Sequence, residues 1–484
     1  MDFVHGMPRE QALLFPESLE EYISTDNPVR FIDAFVDGLD LDKAGFGRTQ
    51  PPATGRPPFD PRDLLKLYIY GYLNRVRSSR TLEQETHRNV EVMWLVRKLR
   101  PDHKTISDFR KNNRRAFQQI FREFILLCRK LELFDGDFIA VDGSKFKAVN
   151  SPQRNFTKKK LRQRLQEIDQ KIENYLRELE ESDEHPGDGP HPTKEALQDK
   201  IRRLKDRQGT YRELVKELEE SGETQVSLTD SDSRAMKAST SDIRAKVGYN
   251  AQIAVEEKTH LIVAQDVTNQ ANDVDQLSKT SLEAKRALGV DRLQVVADNG
   301  YYNAPEIKTC EEGGILPHVS KHRSSSCTSR GLFGKELFIY DPDKDSYRCP
   351  AGEVLTLLCV APKNAKRGAT HLLRHYATPA CKGCSLRSQC TTNKTGRRIT
   401  RWVDEHLLEQ MAKRLADHPE IVKKRKAMVE HPFGTIKYWR DQGHFLVRGL
   451  ENVKAEFSLM ALAYNIKRVT RLLTIPRLVA AARE

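Results

Sequence analysis

The spacing of apolar positions divides the chain into a helical first part and a mixed second part. Up to about residue 132, apolar residues recur every three or four positions, with breaks in the Gly/Pro-rich stretch from Thr49 to Pro61 and at Arg100-Pro101-Asp102. Asp60-Pro61 predicts the start of a helix, because aspartate caps free N–H groups and proline suits the first turn. The apolar stripe of this helix consists of Leu64, Leu65, Tyr68, Ile69 and Tyr72. We therefore expect an all-α region over residues 1–132.

The end of this helical region is strongly basic. RSSRTLEQETHRNVEVMWLVRKL predicts two further helices, and PDHKTISDFRKNNRRAF predicts a turn and then a helix that carries Arg110 and Lys111. Short helices joined by tight turns, with basic residues on the last, are typical of a helix-turn-helix DNA reader. A helical region with an ordinary basic surface explains the same residues equally well. Arg110 and Lys111 are therefore candidate DNA contacts.

Alternating apolar positions begin at Phe138 and predict strands. DFIAVDGSKF, GYNAQIAVEE and THLIVAQDVT are three strand candidates, the helix-like DVDQLSKTSLEAKRALG follows, and RLQVVADNGYY is the fourth strand. Helical periodicity returns from about residue 420 to 437 and from 452 to 473. This order predicts an α/β core with a mixed sheet and flanking helices, formed by residues 133–157, 222–334 and 400–475.

Two insertions interrupt this core. Residues 158–221 carry apolar side chains spaced alternately by four and three on both sides of the breaker HPGDGPHP, which predicts an antiparallel coiled-coil hairpin. The seams consist of Leu161, Leu165, Ile168, Ile172, Tyr175 and Leu179, and of Leu197, Ile201, Leu204, Tyr211, Val215 and Leu218, with polar Gln208 in the second. Residues 335–399 predict a small module of short strands that holds a cluster of cysteines.

Composition narrows the class of partner. Charged residues make up 31% of the 484 positions, against roughly 25% in an ordinary domain. The 81 Lys and Arg outnumber the 68 Asp and Glu, which leaves a formal charge of +13 and favours a polyanionic partner; a well-solvated basic surface is the alternative. No apolar run approaches the roughly 20 residues of a membrane span, and the first residues do not resemble a secretory signal. We expect a soluble intracellular protein with no membrane partner.

Two aspartates follow apolar strands. Asp142 ends the first strand candidate and Asp298 the fourth. If these strands are neighbours, the two carboxylates meet at the carboxyl edge of the sheet, where ligands usually bind in open α/β sheets. Adjacent carboxylates repel, and Mg²⁺ relieves this because it takes oxygen ligands and keeps positions for substrate phosphates. Glu430, on a predicted basic helix with Lys437 two turns further on, is the candidate third acid.

Each of these acids also has an ordinary interpretation. An aspartate after a strand is often a turn residue or a helix cap, and a glutamate on a basic helix is usually an ion-pair partner. The conjunction of all three favours a metal site. Asp266 and Asp273 are rival acids, and Asp230 with Asp232 lie in a polar stretch where capping or turn roles are expected.

A second candidate metal site lies among the cysteines. Cys349, Cys381, Cys384 and Cys390 supply four thiols, with a Cys-x₂-Cys spacing and glycines that suit a tetrahedral zinc knuckle. The spacing before Cys390 also fits an iron–sulfur cluster, and four reduced thiols without metal are the third alternative. The alternative ligands nearby are His371 and His375. The remaining cysteines are expected to be ordinary buried or loop thiols: Cys128, Cys310, Cys327 and Cys359.

Three segments of the chain are similar to those of a known family. AVDGSKFKA, VVADNGYYNAPE and RKAMVEHPFGTIKYW resemble the catalytic blocks of bacterial insertion-sequence transposases of the DDE class, specifically the IS1182 type within the IS4 and IS5 grouping. DPRDLLKLYIYGYLNRVRSSRTLEQE resembles their N-terminal helical domain, and KVGYNAQIAVEEKTHLIVAQDVTNQANDVDQL their second and third strands. The cysteine cluster resembles their cysteine module. The resemblance covers nearly the whole chain.

This resemblance implies an RNase H-like fold and a set of site residues. Asp142, Asp298 and Glu430 would be the catalytic triad and the ligands of two Mg²⁺ or Mn²⁺ ions. Lys437 corresponds to the lysine that follows the family's glutamate.

One part of the family pattern is missing. The related IS4 pattern places a tyrosine and an arginine seven and four residues before the glutamate, where this chain has Lys423 and Lys426. Arg425 is displaced by one position from that arginine and is a candidate contact to a DNA phosphate only.

The implied function is that of a DNA transposase. Such an enzyme binds the terminal inverted repeats of its element, cleaves the ends, and joins the freed 3′-hydroxyls to target DNA by two-metal phosphoryl transfer. Lys437, Lys145 and Lys147 are candidates for holding phosphates. A homodimer is expected because two DNA ends must be brought together, and the expected location is the bacterial cytoplasm at the nucleoid. The alternatives are a DNA-binding regulator with an inactive core and a hydrolytic nuclease without strand transfer.

Overall fold

The helices of the first region form as the apolar spacing predicts. The computed structural model describes residues 18–47, 49–50, 57–150, 152–184, 194–236, 246–321, 328–362 and 372–484. The first helices are α1 (Pro28–Asp37), α2 (Pro61–Leu73), α3 (Ser79–Arg88), α4 (Val90–Leu95), α5 (His103–Asn112) and α6 (Arg114–Lys130). The start predicted at Asp60-Pro61 is confirmed, because the Asp60 carboxylate accepts a hydrogen bond from the N–H of Arg62 at 2.8 Å.

The later elements alternate between strands and helices. The strands are β1 (Phe138–Lys147), β2 (Asn155–Thr157), β3 (Gln225–Ser227), β4 (Arg234–Met236), β5 (Lys246–Glu256), β6 (Ile262–Thr268), β7 (Leu293–Ala297), β8 (Ile315–Val319), β9 (Ile339–Asp341), β10 (Ser346–Arg348), β11 (Val354–Pro362), β12 (Leu372–Ala377) and β13 (Ile399–Trp402). The helices are α7 (Lys158–Glu184), α8 (Lys194–Glu220), α9 (Leu277–Leu288), α10 (Ala304–Glu312), α11 (Arg387–Cys390), α12 (Glu405–Asp417), α13 (Glu420–Gly434), α14 (Leu450–Leu472) and α15 (Ile475–Arg483).

The main sheet is mixed, as the strand order predicts. It runs β4-β5-β1-β7-β8, and β6 also pairs with β5. β5 is antiparallel to β1 and β6, whereas β1, β7 and β8 are parallel. The four strand candidates correspond to β1, β5, β6 and β7, while β4 and β8 were not predicted. β8 contains Pro317, which argues against a central strand but is tolerated at an edge, and β8 lies at the edge.

Helices cover both faces of this sheet. On one face, α14 packs against α2, α6 and β6, so the N-terminal helices and the C-terminal helix share one hydrophobic core with β1 and β5. On the other face, a second core joins α9, α10 and α12 to β1, β7 and β8. The boundary predicted at residue 132 therefore does not interrupt the first core. None of the described helices has the length and apolar character needed to cross a membrane.

The two insertions form separate small units. α7 and α8 pack along the predicted seams, and Gln208 donates a hydrogen bond to Asp169 across the hairpin. The breaker between these helices lies outside the described residues. The second insertion contains a five-stranded antiparallel sheet, ordered β13-β12-β11-β10-β9. β13 completes this sheet, so the sheet extends past residue 399, where the sequence predicted the module to end.

Candidate active site

Asp142 and Asp298 lie level with each other on one face of the main sheet. Phe138 pairs with Gln294 and Ala140 with Val296 in the parallel β1–β7 ladder, and Asp142 and Asp298 each follow the last of these pairs by two residues. The charge of Asp298 contributes to the raised pKa of Asp142, so the two carboxylates lie near each other. Neighbouring strands lie about 4.8 Å apart. β1 continues to Lys147, so the expectation that Asp142 ends its strand is wrong. The strand continues because β5 pairs with β1 along this whole stretch.

Asp142 is a largely buried carboxylate with a cation beside it. Its Oδ1 accepts a hydrogen bond from the N–H of Gly143 at 2.9 Å, and its Oδ2 lies 3.2 Å from Nη1 of Arg425 on α13. Burial raises the pKa of Asp142 to about 6; the Arg425 guanidinium opposes that rise, and the Asp298 carboxylate adds to it. The pair of carboxylates therefore favours a positive charge at this position.

Asp298 also serves as a helix cap. It follows β7 directly, and its Oδ1 accepts a hydrogen bond from the N–H of Gly300 at 2.9 Å, at the start of a 3₁₀ turn over Asn299–Tyr301. The ordinary interpretation of a strand-end aspartate is therefore correct here. This capping role does not prevent metal binding, because only Oδ1 accepts the hydrogen bond from Gly300.

Asp273, one of the rival acids in the sequence, lies near Asp142 in the structure. Its Oδ1 accepts hydrogen bonds from Nδ2 of Asn250 at 2.6 Å and from Nε2 of Gln252 at 2.8 Å, and lies 3.2 Å from Nζ of Lys145. Its charge also contributes to the raised pKa of Asp142. The alternation of polar Asn250 and Gln252 within an apolar strand was the signal that could have identified it.

Gly143 lets this polar network approach the strand. A Cβ at this position would lie 2.4 Å from Nε2 of Gln252, 2.6 Å from Oδ1 of Asp273 and 3.0 Å from the hydroxyl of Tyr301. The Tyr301 hydroxyl itself donates a hydrogen bond to Oε1 of Gln252. The glycine after the aspartate is thus required by close packing rather than by a turn.

Glu430 is not brought into contact with the two aspartates. It lies on α13, five residues after Arg425, but its side chain is 65% exposed and its ion-pair partner is Lys426 at 3.7 Å. Among the described residues, no group of three or more His, Cys, Asp or Glu side chains is arranged to hold a metal ion. The ordinary ion-pair interpretation describes Glu430 in this state.

Lys437 is anchored on β1 near the aspartates. α13 contains Pro432 and ends at Gly434, and a π-helical turn over Thr435–Trp439 follows directly. Nζ of Lys437 donates to Oγ of Ser144 at 2.5 Å and to the carbonyl of Lys145 at 2.8 Å. Both Arg425 and Lys437 therefore project from this helical segment onto the face that carries Asp142.

The remaining candidates have mixed positions. Arg110 lies against the ring of Tyr68 and 3.4 Å from the hydroxyl of Tyr72, which gives it an internal contact, whereas Lys111 is exposed. DNA contact by either residue stays a prediction.

The capping role of Asp230 and Asp232 is confirmed, because their carboxylates accept hydrogen bonds from the N–H groups at the start of α14.

The four clustered cysteines line one small pocket. Cys349, Cys381, Cys384 and Cys390 surround a cavity of about 20 Å³ beside the second sheet. Burial raises the pKa of Cys390, Arg397 lowers it, and the other three thiols raise it, which is a sign of their proximity. Cys349 begins a tight turn closed by a 2.8 Å hydrogen bond from Gly352 to its carbonyl. His375 lies on β12.

The other cysteines fit the expectation for ordinary thiols. Cys128 and Cys310 are buried and Cys359 is exposed. Cys327 and the alternative ligand His371 lie outside the described residues.

Comparison with known proteins identifies transposase domains. Residues 17–112 match the family described as "Transposase domain (DUF772)", and residues 348–470 match the family described as "Transposase DDE domain". The class indicated is that of the DDE transposases. Both matches are consistent with an insertion-sequence transposase of the IS1182 type, so the resemblance found in the sequence is confirmed at this level. The second match contains Arg425, Glu430, Lys437 and the four clustered cysteines, whereas Asp142 and Asp298 lie outside both.

Similarity to other proteins is weaker. No curated protein matches the chain. Among solved structures, the piggyBac transposase synaptic complex with hairpin DNA is similar over 95% of this chain and 79% of that chain, at 10% identity and a TM-score of 0.32. A similarity this low does not establish a shared fold.

Proposed function

We propose that this protein is a DNA transposase that binds the terminal inverted repeats of an insertion sequence, cleaves its ends and joins the 3′-hydroxyls to target DNA. The observation that carries the proposal is the level pair of Asp142 and Asp298 on one sheet face, covered by a helix that brings Arg425 and Lys437 to the same face. The mixed strand order supports an RNase H-like core. The two transposase-family matches support the class.

A divalent cation fits the donor atoms of this pair. Two carboxylates close enough to raise the pKa of Asp142, with Arg425 as their counter-charge, form a hard-oxygen site of the kind Mg²⁺ or Mn²⁺ takes. When bound, such ions supply Lewis-acid activation for phosphoryl transfer. Asp142 and Asp298 would hold them, and Glu430 would complete the set by turning away from Lys426 towards the two aspartates. Lys437 and Lys145 would orient the phosphates of the DNA. Arg425 would leave its ion pair with Asp142 and bind a phosphate instead.

The test is DNA cleavage by an Asp142→Asn variant. Labelled DNA that carries the inverted repeats should bind the variant with unchanged affinity and remain uncut, because asparagine keeps the shape of the side chain but loses its charge. Asp266→Asn is the matched control: it lies in the same sheet on β6, is similarly buried, and pairs instead with Lys279 and Lys454. Cleavage by the Asp142 variant at the wild-type rate would contradict the proposal.

The same assay separates the two alternatives. A regulator with an inactive core would bind the repeats without cutting them, even as the wild-type protein. A hydrolytic nuclease would cut but fail to integrate precut ends into a target plasmid. A homodimer bound to two DNA ends would support the joining step and would be seen by sizing the protein–DNA complex.

We also propose that Cys349, Cys381, Cys384 and Cys390 bind one structural zinc ion. Four thiols line one pocket, with a tight turn at the first, and provide the donor set that zinc prefers. Within the described residues their sulfur atoms are not arranged around one metal position, so zinc would draw them together on binding. Purified protein should contain about one zinc per chain, and Cys384→Ser should lose most of it. Cys359→Ser is the control, since Cys359 is an exposed cysteine of the same sheet. Iron in place of zinc, or no metal at all, would contradict this assignment.

A further inference from the structure

Two aromatic side chains next to the candidate site are strongly exposed. Tyr438 and Trp439 are 83% and 74% exposed, the highest values among the large apolar side chains of the described residues. Aromatic rings usually bury their faces, so an exposed adjacent pair needs a reason. Both lie on the π-helical turn over Thr435–Trp439, a feature that often occurs at functional sites. We name Tyr438 and Trp439 the aromatic pair.

A group of cations adjoins the aromatic pair. Arg440 follows Trp439 directly, and its Nη1 donates to the carbonyl of Tyr72 at 2.7 Å. Within the described chain, its buried Nε and Nη2 have no hydrogen-bond partner. We name Arg75, Arg440, Lys467 and Arg471 the cation cluster.

The positive charges of these four side chains act on one another. Burial lowers the pKa of Arg440 to about 10, and the charge of Arg75 lowers it as well. Burial also lowers the pKa of Lys467, followed by the charges of Arg440, Arg471 and Arg75. Lys467 and Arg471 lie one turn apart on α14, and Arg75 lies three residues after Tyr72, whose carbonyl accepts the hydrogen bond from Arg440. Arg440 is buried, whereas Arg75, Lys467 and Arg471 are exposed, so these three give the surface a positive charge that attracts an anion.

The aromatic pair is fixed close to the candidate catalytic aspartates. Lys437 precedes Tyr438, and its ammonium group holds Ser144, which lies about 7 Å along β1 from Asp142. Behind the π-helical turn, the N–H of Lys147 donates to the carbonyl of Gly443 at 3.1 Å, and the N–H of Phe445 donates to the carbonyl of Lys147 at 2.9 Å. The turn is thus attached to the end of the strand that carries Asp142.

We propose that the aromatic pair and the cation cluster bind unpaired DNA next to the cleavage position. The rings would stack on exposed bases, and the exposed cations of the cluster, Arg75, Lys467 and Arg471, would contact the phosphates of the same strand. This inference rests on the proposed function, because it places the unpaired segment beside the candidate catalytic aspartates. The positive charge of this surface favours a nucleic-acid strand over a second copy of this chain. In a second copy the same cations would repel each other, whereas a nucleic-acid strand supplies both anionic phosphates and flat bases.

The test compares two DNA ligands by fluorescence anisotropy. One is a fully paired inverted-repeat duplex, and the other is the same duplex with a few unpaired nucleotides at the cleaved end. The Tyr438→Ala/Trp439→Ala double variant should bind the second ligand about tenfold more weakly and the first almost unchanged, since stacking acts only on exposed bases. Trp439→Phe keeps a ring and should retain most of the affinity. Tyr22→Ala, at an exposed tyrosine in the N-terminal region, is the control.

Three results would overturn the inference. They are equal weakening for both ligands, no weakening for either, and a change in the sedimentation of the DNA-free double variant, which would mean that the pair is an interface between copies of this chain. The wild-type cleavage assay keeps the two proposals separate. If the wild type cuts and the double variant shows no ligand preference, only the stacking role fails; if the wild type does not cut, the proposed function fails.

Discussion

The charge of Asp142 has opposite effects on folding stability and on metal binding. A carboxylate that is buried beside another carboxylate destabilises the folded state when it is ionised, yet a metal site needs its charge. Because burial raises its pKa from 3.8 to about 6, the native state holds this proton more tightly than the unfolded state does. The contribution of Asp142 to stability should therefore fall as the pH rises from about 4 to about 6.

The Asp142→Asn variant tests this conflict directly. Asparagine cannot ionise, so above pH 6 the variant should be more stable than the wild type by up to about 3 kcal/mol, and the difference should vanish near pH 4. Urea unfolding without divalent ions, at pH values on both sides of this window, measures it. Asp266→Asn should show no such gain. A variant less stable than the wild type at pH 7.5 would show that the ion pair with Arg425 outweighs the burial.

For individual residues, the sequence indicates candidate site residues more readily than it indicates where their side chains lie. Asp142 and Asp298 could be paired because each follows a run of apolar residues in the sequence. Asp273 was harder to place, because its partners Asn250 and Gln252 come from a strand more than 20 residues earlier and their polar character within that strand was the only signal for it. The exposed position of Glu430 depends on the rotation of α13, which periodicity alone does not fix.

At the scale of elements, α13 and its π-helical turn combine several functions in one segment. Arg425 contacts Asp142, Lys437 contacts β1, and Glu430 lies on the exposed side between them. The helix itself was predictable from its apolar spacing. The π-helical turn was not, because its extra residue leaves no mark in a pattern of this length. Short β4 was missed for a related reason, since three residues are too few to show alternation.

Glu430→Gln tests whether this exposed glutamate belongs to the site. The variant should lose most DNA cleavage while its thermal stability stays within about 0.5 kcal/mol, because an exposed side chain contributes little to folding. Glu420→Gln is the matched control, since Glu420 begins the same helix, is similarly exposed and pairs with His418. Cleavage assays and melting curves measure both effects. Equal cleavage by the two variants would remove Glu430 from the proposed triad.

At the scale of the whole molecule, the ends of the chain meet in one core. α14 packs on α2 and α6, and α15 packs on α1, so helices from both ends enclose the face that carries Asp142. The sequence predicted the helices but treated the first 132 residues as separate, because packing between distant segments has no local pattern. Contacts between these N-terminal and C-terminal segments also hold the loop after the π-helical turn.

Arg77 and Glu456 join these two ends. Arg77 lies 3.5 Å from the buried carboxylate of Glu456 and donates to the carbonyls of Asp441 and His444 in the loop after the π-helical turn. Burial raises the pKa of Glu456, while Arg110, the N–H groups of Leu446 and Val447, and Arg77 oppose that rise. Arg77 and Arg110 therefore both stabilise the charge of a carboxylate that burial alone would keep protonated.

Arg77→Met should destabilise the protein by about 3 kcal/mol, because it leaves the buried carboxylate without its nearest cation. Urea unfolding measures the loss, and Arg164→Ala, which breaks an exposed pair with Glu167, should change stability by less than about 1 kcal/mol. Adding Glu456→Gln to the Arg77 variant should restore part of the stability, since the unpaired charge is removed. If the double variant is no more stable than Arg77→Met, the loss comes from the carbonyl contacts, and the loop rather than the ion pair connects the two ends of the chain.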